Sequence, residues 1–256
     1  MRFALVNGQR QEAQPNVSGE CPACKRPMVA KCGEVRLRHW AHKGRLLCDP
    51  WWENETGWHR AWKDQFPADW QEFVHLAGDG ERHIADVKTG DGWVIEFQHS
   101  HIKPEERRSR EAFYLKLIWV VDGTRRKGDR AQLFSAWKEG VPVGGNPLVR
   151  RAFSDDCRLL REWAGSNAPI FFDLGEIERL WWLFAKNTNG SAYLAPYPRA
   201  EFIECHRSTA TEKARQFDEF VNDIPKLMAE YESHRRAQPL SRDPLQPRTS
   251  RRRFRL

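Results

Sequence analysis

Residues 84–98, IADVKTGDGWVIEFQ, read as two short strands folded back on each other at the turn TGDG. Asp86 falls on the first of these strands and Glu96 on the second, so the hairpin can bring both carboxylates to one edge of a sheet. QEFVHLA, just upstream, reads as a further strand. Before it, ENETGWHRAWKDQF (53–66) sets Trp58, Ala61, Trp62 and Phe66 at helical spacing. Downstream, Pro104 stands at the first turn of a second helix running to about residue 116, and LIWVVD (117–122) is the continuous apolar run of a buried strand. The order is αβββαβ, and the expected class is α/β (α+β), with its core over residues 51–140.

Around that core the chain changes character. Residues 1–50 are rich in Cys, His and basic residues without sustained periodicity, which suits a small module held by something other than a hydrophobic core. Residues 141–234 read as a mostly helical C-terminal region. In it GEIERLWWLFAK (175–186) is an amphipathic helix, EKARQFDEFVND runs to Pro225, and PKLMAEYESHRR follows. Phe217, Val221, Ile224, Met228 and Tyr231 form a stripe expected to pack on the chain's own core. Residues 235–256 are Pro- and Arg-rich and are expected to be a disordered tail.

Composition excludes several classes. At 256 residues with 40% hydrophobic content, the chain is long and apolar enough to bury a core. No apolar run approaches the roughly 20 residues of a membrane span. Six cysteines are too few for a secreted disulfide framework, and a cytoplasmic protein is expected. The net charge of +7 favours a polyanionic partner, nucleic acid first. Its distribution is informative: residues 235–256 hold eight Arg and one Asp, so the remainder is formally neutral, while residues 25–45 hold seven basic residues and one acidic.

Cys21-Pro-Ala-Cys24 followed by His39-Trp-Ala-His42 offers two thiolates and two imidazoles to a tetrahedral Zn2+. The His pair is spaced more tightly than usual, so Cys32 or Cys48 is an alternative ligand in place of one histidine. A closed four-ligand site would be structural. The carboxylates suggest different chemistry. Glu96 interrupts an apolar run, where an unpaired carboxylate costs several kcal/mol unless a cation meets it. Oxygen donors at Asp86 and Glu96, with the Phe97 carbonyl between Glu96 and Gln98, suit Mg2+ or Mn2+. A buried acid satisfied by Arg82 or Lys88 is the plainer reading.

CPAC, HWAHK, ENETGWHRAWK, IADV, IEFQHSHIKPEERRSREAFY and IWVVDG, in this order over residues 20–123, resemble the competence protein CoiA-like nucleases of the PD-(D/E)xK superfamily. The resemblance implies a restriction-endonuclease-like core and metal-dependent hydrolysis of DNA, single- or double-stranded. It implies Asp86 and Glu96 as ligands of Mg2+ or Mn2+, Gln98 at the position of the superfamily lysine, and Glu55 as a further acid. Glu55, His59 and Lys63 are spaced to share one helix face, on which His59 would meet metal or phosphate and Lys63 would supply the charge Gln98 lacks. A solvated salt-bridged face is the alternative for Glu55 and Lys63. Ser100, Arg110 and Tyr114 match the family's following segment and are the candidate substrate contacts the resemblance implies. The rival functional reading is a nuclease-like, zinc-containing DNA-binding protein that does not cut.

Overall fold

The computed structural model describes residues 1–44, 48–51, 54–77, 80–184, 190–207 and 212–237. Its first five strands are β1 (Phe3–Val6), β2 (Gln9–Glu12), β3 (Ser18–Glu20), β4 (Pro27–Lys31) and β5 (His39–His42). They form an antiparallel sheet in the order β2-β1-β3-β4-β5. Asn7 and Gly8, at φ 51° and 81°, make the tight turn between β1 and β2 that needs two left-handed residues. The expectation of a module without a hydrophobic core is corrected: it has a small apolar one, in which Met28 and Trp40 are fully buried and the Trp40 indole donates to the Gln11 carbonyl at 2.9 Å. Val74 and Ile84 pack against that core, joining the module to the rest of the chain.

The larger body contains α1 (Gly57–Lys63), β6 (Gln71–Leu76), β7 (Arg82–Lys88), β8 (Val94–Gln98), α2 (Pro104–Phe113) and β9 (Leu117–Asp122). These follow in the expected αβββαβ order. Next come α3 (Asp129–Glu139), β10 (Val141–Val143), β11 (Asn146–Phe153), α4 (Arg158–Trp163), β12 (Ile170–Asp173), β13 (Arg179–Leu183), β14 (Ser191–Pro198), α5 (Arg199–Arg207) and α6 (Glu212–Ala237). The fold is mixed α/β, with two sheets and six α-helices among the described residues. None of those helices is long and apolar enough to cross a membrane.

The second sheet has nine strands in the order β10-β11-β14-β13-β12-β9-β8-β7-β6. β8, β9 and β12 run parallel and the other pairings are antiparallel. Side chains alternate along β9. Leu117, Trp119 and Val121 enter one core with Leu133, Leu160 and Trp163 of α3 and α4, while Ile118 and Val120 enter the other with Trp62, Phe202 and Phe217 of α1, α5 and α6. Helices thus cover both faces, which the fully buried parallel strands require.

The mostly helical reading of residues 141–234 is corrected. Five strands, β10 to β14, extend the same sheet, and GEIERLWWLFAK contains β13 rather than a helix. Trp181 and Trp182 are both buried because adjacent strand residues face opposite cores. The stripe from Phe217 to Tyr231 packs on the second core as expected, and α6 runs unbroken through Pro225. The tail from residue 238 lies outside the described residues.

Candidate active site and metal centre

Thr56 caps α1: its hydroxyl accepts the His59 N–H at 3.3 Å, while His59 Nδ1 accepts the Thr56 N–H at 3.3 Å. This cap moves Glu55 off the helix, correcting the reading of Glu55, His59 and Lys63 as one helical face. The chain nevertheless turns Glu55 back, and its Oε1 lies 2.5 Å from Lys63 Nζ. Arg60 pairs with the same carboxylate. Lys63 is 3% exposed and faces two further acids, Glu72 at 3.3 Å and Asp86 at 3.9 Å. Burial alone would lower the Lys63 pKa, but Glu72, Asp86 and Glu55 outweigh it and hold the ammonium charged.

Asp86 on β7 and Glu96 on β8 line one cavity of about 60 Å³ together with Glu55, His59, Lys63 and Glu72. The Phe97 N–H donates to Asp86 Oδ2 at 3.0 Å, fixing the β7 carboxylate against the β8 backbone. Glu96 is buried, and its Oε2 accepts from Arg110 Nη1 at 2.9 Å. Burial pushes the Glu96 carboxyl up to about 8; Asp86 and Asp49 add to the push, and Arg110 opposes it. The plainer partners for Glu96, Arg82 and Lys88, are elsewhere: Arg82 donates to the Ala23 carbonyl, and Lys88 sits over the Phe73 ring.

Two acids of this cavity were missed in the sequence. Glu72 has φ +46°, a left-handed conformation costing a non-glycine residue about 1–3 kcal/mol. Its carboxylate accepts the backbone N–H groups of Arg2 at 2.6 Å and Phe3 at 3.0 Å, tying the N-terminal sheet to the cavity. Burial would raise the Glu72 carboxyl, but Lys63 and those N–H groups bring it down to about 2. Asp49 pairs with His83 at 2.9 Å and accepts the Ile84 N–H at 2.7 Å. Nothing in WQEF or CDPWW marked either residue.

The remaining expected site residues separate. Gln98 is buried and donates to the Ser100 carbonyl and hydroxyl at 3.2 and 3.3 Å. Arg110, expected on substrate, is instead buried against Glu96, Glu106 and the Trp51 carbonyl. Tyr114 is 2% exposed, packed edge-on against Trp51 and Phe113, with no hydrogen bond to its hydroxyl. Neither is placed to touch a substrate from solvent.

At the other end of the module, Cys21, Cys24, His42 and Cys48 bring four ligand atoms within 4.8 Å of one another. Among the described residues no other group of three or more Cys, His, Asp and Glu side chains converges in this way. Cys21 Sγ and Cys48 Sγ are 3.7 Å apart, and Cys24 Sγ is 3.2 Å from His42 Nε2. A tetrahedron with Zn–S near 2.3 Å has sulfur–sulfur edges of about 3.8 Å, so the separations fit Zn2+. The knuckle is formed by Lys25, whose N–H returns to the Cys21 carbonyl at 2.9 Å with φ 61°. His39 is excluded and Cys48 takes its place. In β5, residues 39 and 42 are an odd number apart and face opposite sides; His39 Nδ1 turns to the Leu37 carbonyl at 2.8 Å.

No family model, curated protein or solved structure matches this chain. Its function is therefore argued from the chemistry of these sites.

Proposed function

We propose that the chain is a metal-dependent nuclease that hydrolyses phosphodiester bonds in DNA, built as a CoiA-like, restriction-endonuclease-like core carrying a structural zinc module. The observation that carries the reading is the convergence of Asp86 and Glu96, from paired strands of an αβββαβ unit, on one cavity with a buried lysine.

Asp86 and Glu96 would supply two carboxylates to Mg2+ or Mn2+, a cation that keeps several waters in its shell. Asp49, Glu55, Glu72, Asp86 and Glu96 crowd around Lys63 and Arg110, and the Glu96 carboxyl is raised despite its arginine. A divalent cation on the oxygens of Asp86 and Glu96 would offset that surplus of negative charge. When bound, it supplies polarisation of the phosphoryl group and a lowered pKa for bound water. The protein's own groups do the positioning. The Phe97 N–H orients Asp86, Arg110 orients Glu96, and Lys63 brings the positive charge that Gln98 cannot. The basic residues between 25 and 45 give the zinc module salt-sensitive attraction to the phosphate backbone.

One observation favours a second reading, a DNA-binding protein that does not cut. Lys63 and Arg110 already pair with the acids of the cavity, and Gln98 is turned to Ser100. Plasmid and single-stranded circular DNA incubated with the zinc-loaded protein and Mg2+, Mn2+ or no added divalent metal separate the two. The nuclease reading expects cutting only with added Mg2+ or Mn2+; binding without cutting under every condition supports the second.

A further inference from the structure

A second cavity, of about 260 Å³, opens at the carboxyl ends of the parallel strands β8 and β9. In α/β sheets that is where ligands collect. Its walls hold His99, Asp122 and three arginines, Arg107, Arg125 and Arg161, with Trp163 as an apolar wall. The acids are already engaged. Asp122 Oδ2 is 2.7 Å from His99 Nδ1, while its Oδ1 accepts both the N–H and the hydroxyl of Thr124 at 2.8 and 2.6 Å. Glu162 is held by Arg126 at 3.0 Å and Arg158 at 2.8 Å.

The cations are less occupied. Arg107 is 6% exposed, and although Nη1 donates to the Glu162 carbonyl at 2.7 Å, its buried Nε makes no hydrogen bond and stands 3.4 Å from Glu111. Arg125 uses Nη1 on the His99 carbonyl at 2.9 Å and is otherwise exposed. Arg161 is exposed. A pocket with guanidinium groups in excess over acids selects a compact, multiply charged oxyanion, which arginine can bind through two parallel N–H donors. The two cavities are close: His59 lines the first and His99 the second, with ring centroids 5.9 Å apart, the scale of a single nucleotide step.

We propose that this pocket receives the terminal phosphate monoester of a DNA strand and seats the strand end beside the carboxylate cavity. A monoester carries more charge than an internal diester, matching the surplus of arginines. The consequence, which rests on the nuclease reading, is cleavage directed to phosphorylated ends.

The first test needs no catalysis. Binding of short single-stranded oligonucleotides carrying a 5′-phosphate, a 3′-phosphate or only hydroxyl ends is measured on the zinc-loaded protein without added Mg2+ or Mn2+, for the wild type and for the double variant Arg125→Ala, Arg161→Ala. The pocket predicts that one phosphorylated end binds about tenfold tighter than hydroxyl ends, and that the variant loses this preference while keeping its affinity for the hydroxyl-ended strand. Equal wild-type affinity for all three, or a preference that survives in the variant, overturns the proposal. Cleavage of the same oligonucleotides with Mn2+ is the second arm. End-selective binding without any cutting would leave the pocket standing and remove the nuclease reading; cutting without end selectivity would do the reverse.

Discussion

Arg110 Nη1 lies 2.9 Å from Glu96 Oε2, and the same guanidinium donates through Nη2 to the Trp51 carbonyl at 2.6 Å. Trp51 in turn donates its N–H to Asp49, the residue after the zinc-cluster thiol Cys48. A continuous run of hydrogen bonds and backbone therefore joins the carboxylate cavity to the Cys/His cluster. Removing the partner of a buried charge costs about 3–5 kcal/mol. Arg110→Ala is expected to destabilise the protein by that order in a urea titration, and Arg110→Lys to recover only part, because one ammonium cannot serve both Glu96 and the carbonyl.

The zinc cluster gives a choice between ligands. Cys48→Ser is expected to lose bound zinc and lower the melting temperature by many degrees, since structural zinc contributes on the order of 10 kcal/mol to folding. His39→Ala is expected to keep a full equivalent of zinc. Metal content of the two purified variants by emission spectrometry checks this; zinc lost from His39→Ala and retained by Cys48→Ser would reverse the assignment.

Lys63 is the buried cation shared by Glu55, Glu72 and Asp86. Lys63→Met is expected to cost about 3–5 kcal/mol by stranding these carboxylates. Adding Glu72→Gln to that variant should restore part of the loss. A double-mutant cycle in denaturant reads the coupling directly, and strictly additive effects would show that the two do not interact.

His206 is fully buried between Phe202 and Phe217, and burial pulls its pKa down to about 4. Its neutral form contributes stability in full above pH 6.5, the ordinary histidine value. That contribution is lost as pH falls through 4, by roughly 3 kcal/mol. His206→Asn, which can keep a donor toward the Phe202 carbonyl, is expected to flatten the fall in melting temperature between pH 6.5 and 4. An unchanged slope would mean the ring is not buried neutral.

The αβββαβ unit was legible because its local signals agree: a helical aromatic spacing, strands bounded by GDG turns, and a proline at the second helix start. The strands after residue 140 were not. RLWWL ends in four consecutive apolar residues whose periodicity does not separate a strand from a helix, and the acidic residues ahead of it imitate a helix start. Two adjacent tryptophans were the available clue, since large aromatics favour strands. At the metal cluster, the choice of Cys48 over His39 followed from HWAH being a strand, which places its histidines on opposite faces. Glu72 and Asp49 were illegible because their roles depend on contacts with residues far along the chain, the backbone of β1 for one and His83 for the other.

The proposed nuclease activity depends on Asp86 and Glu96 acting as a metal-dependent phosphodiesterase site. Its most direct test is cleavage of supercoiled and single-stranded DNA across a Mn2+ titration by the wild type, Asp86→Asn and Glu96→Gln, with folding of each confirmed by melting. Metal-dependent cutting is expected from the wild type, with a loss of at least about a hundredfold in both variants. Undiminished cutting by the two variants, or a folded, zinc-loaded wild type that cuts neither substrate at any metal concentration, would contradict it.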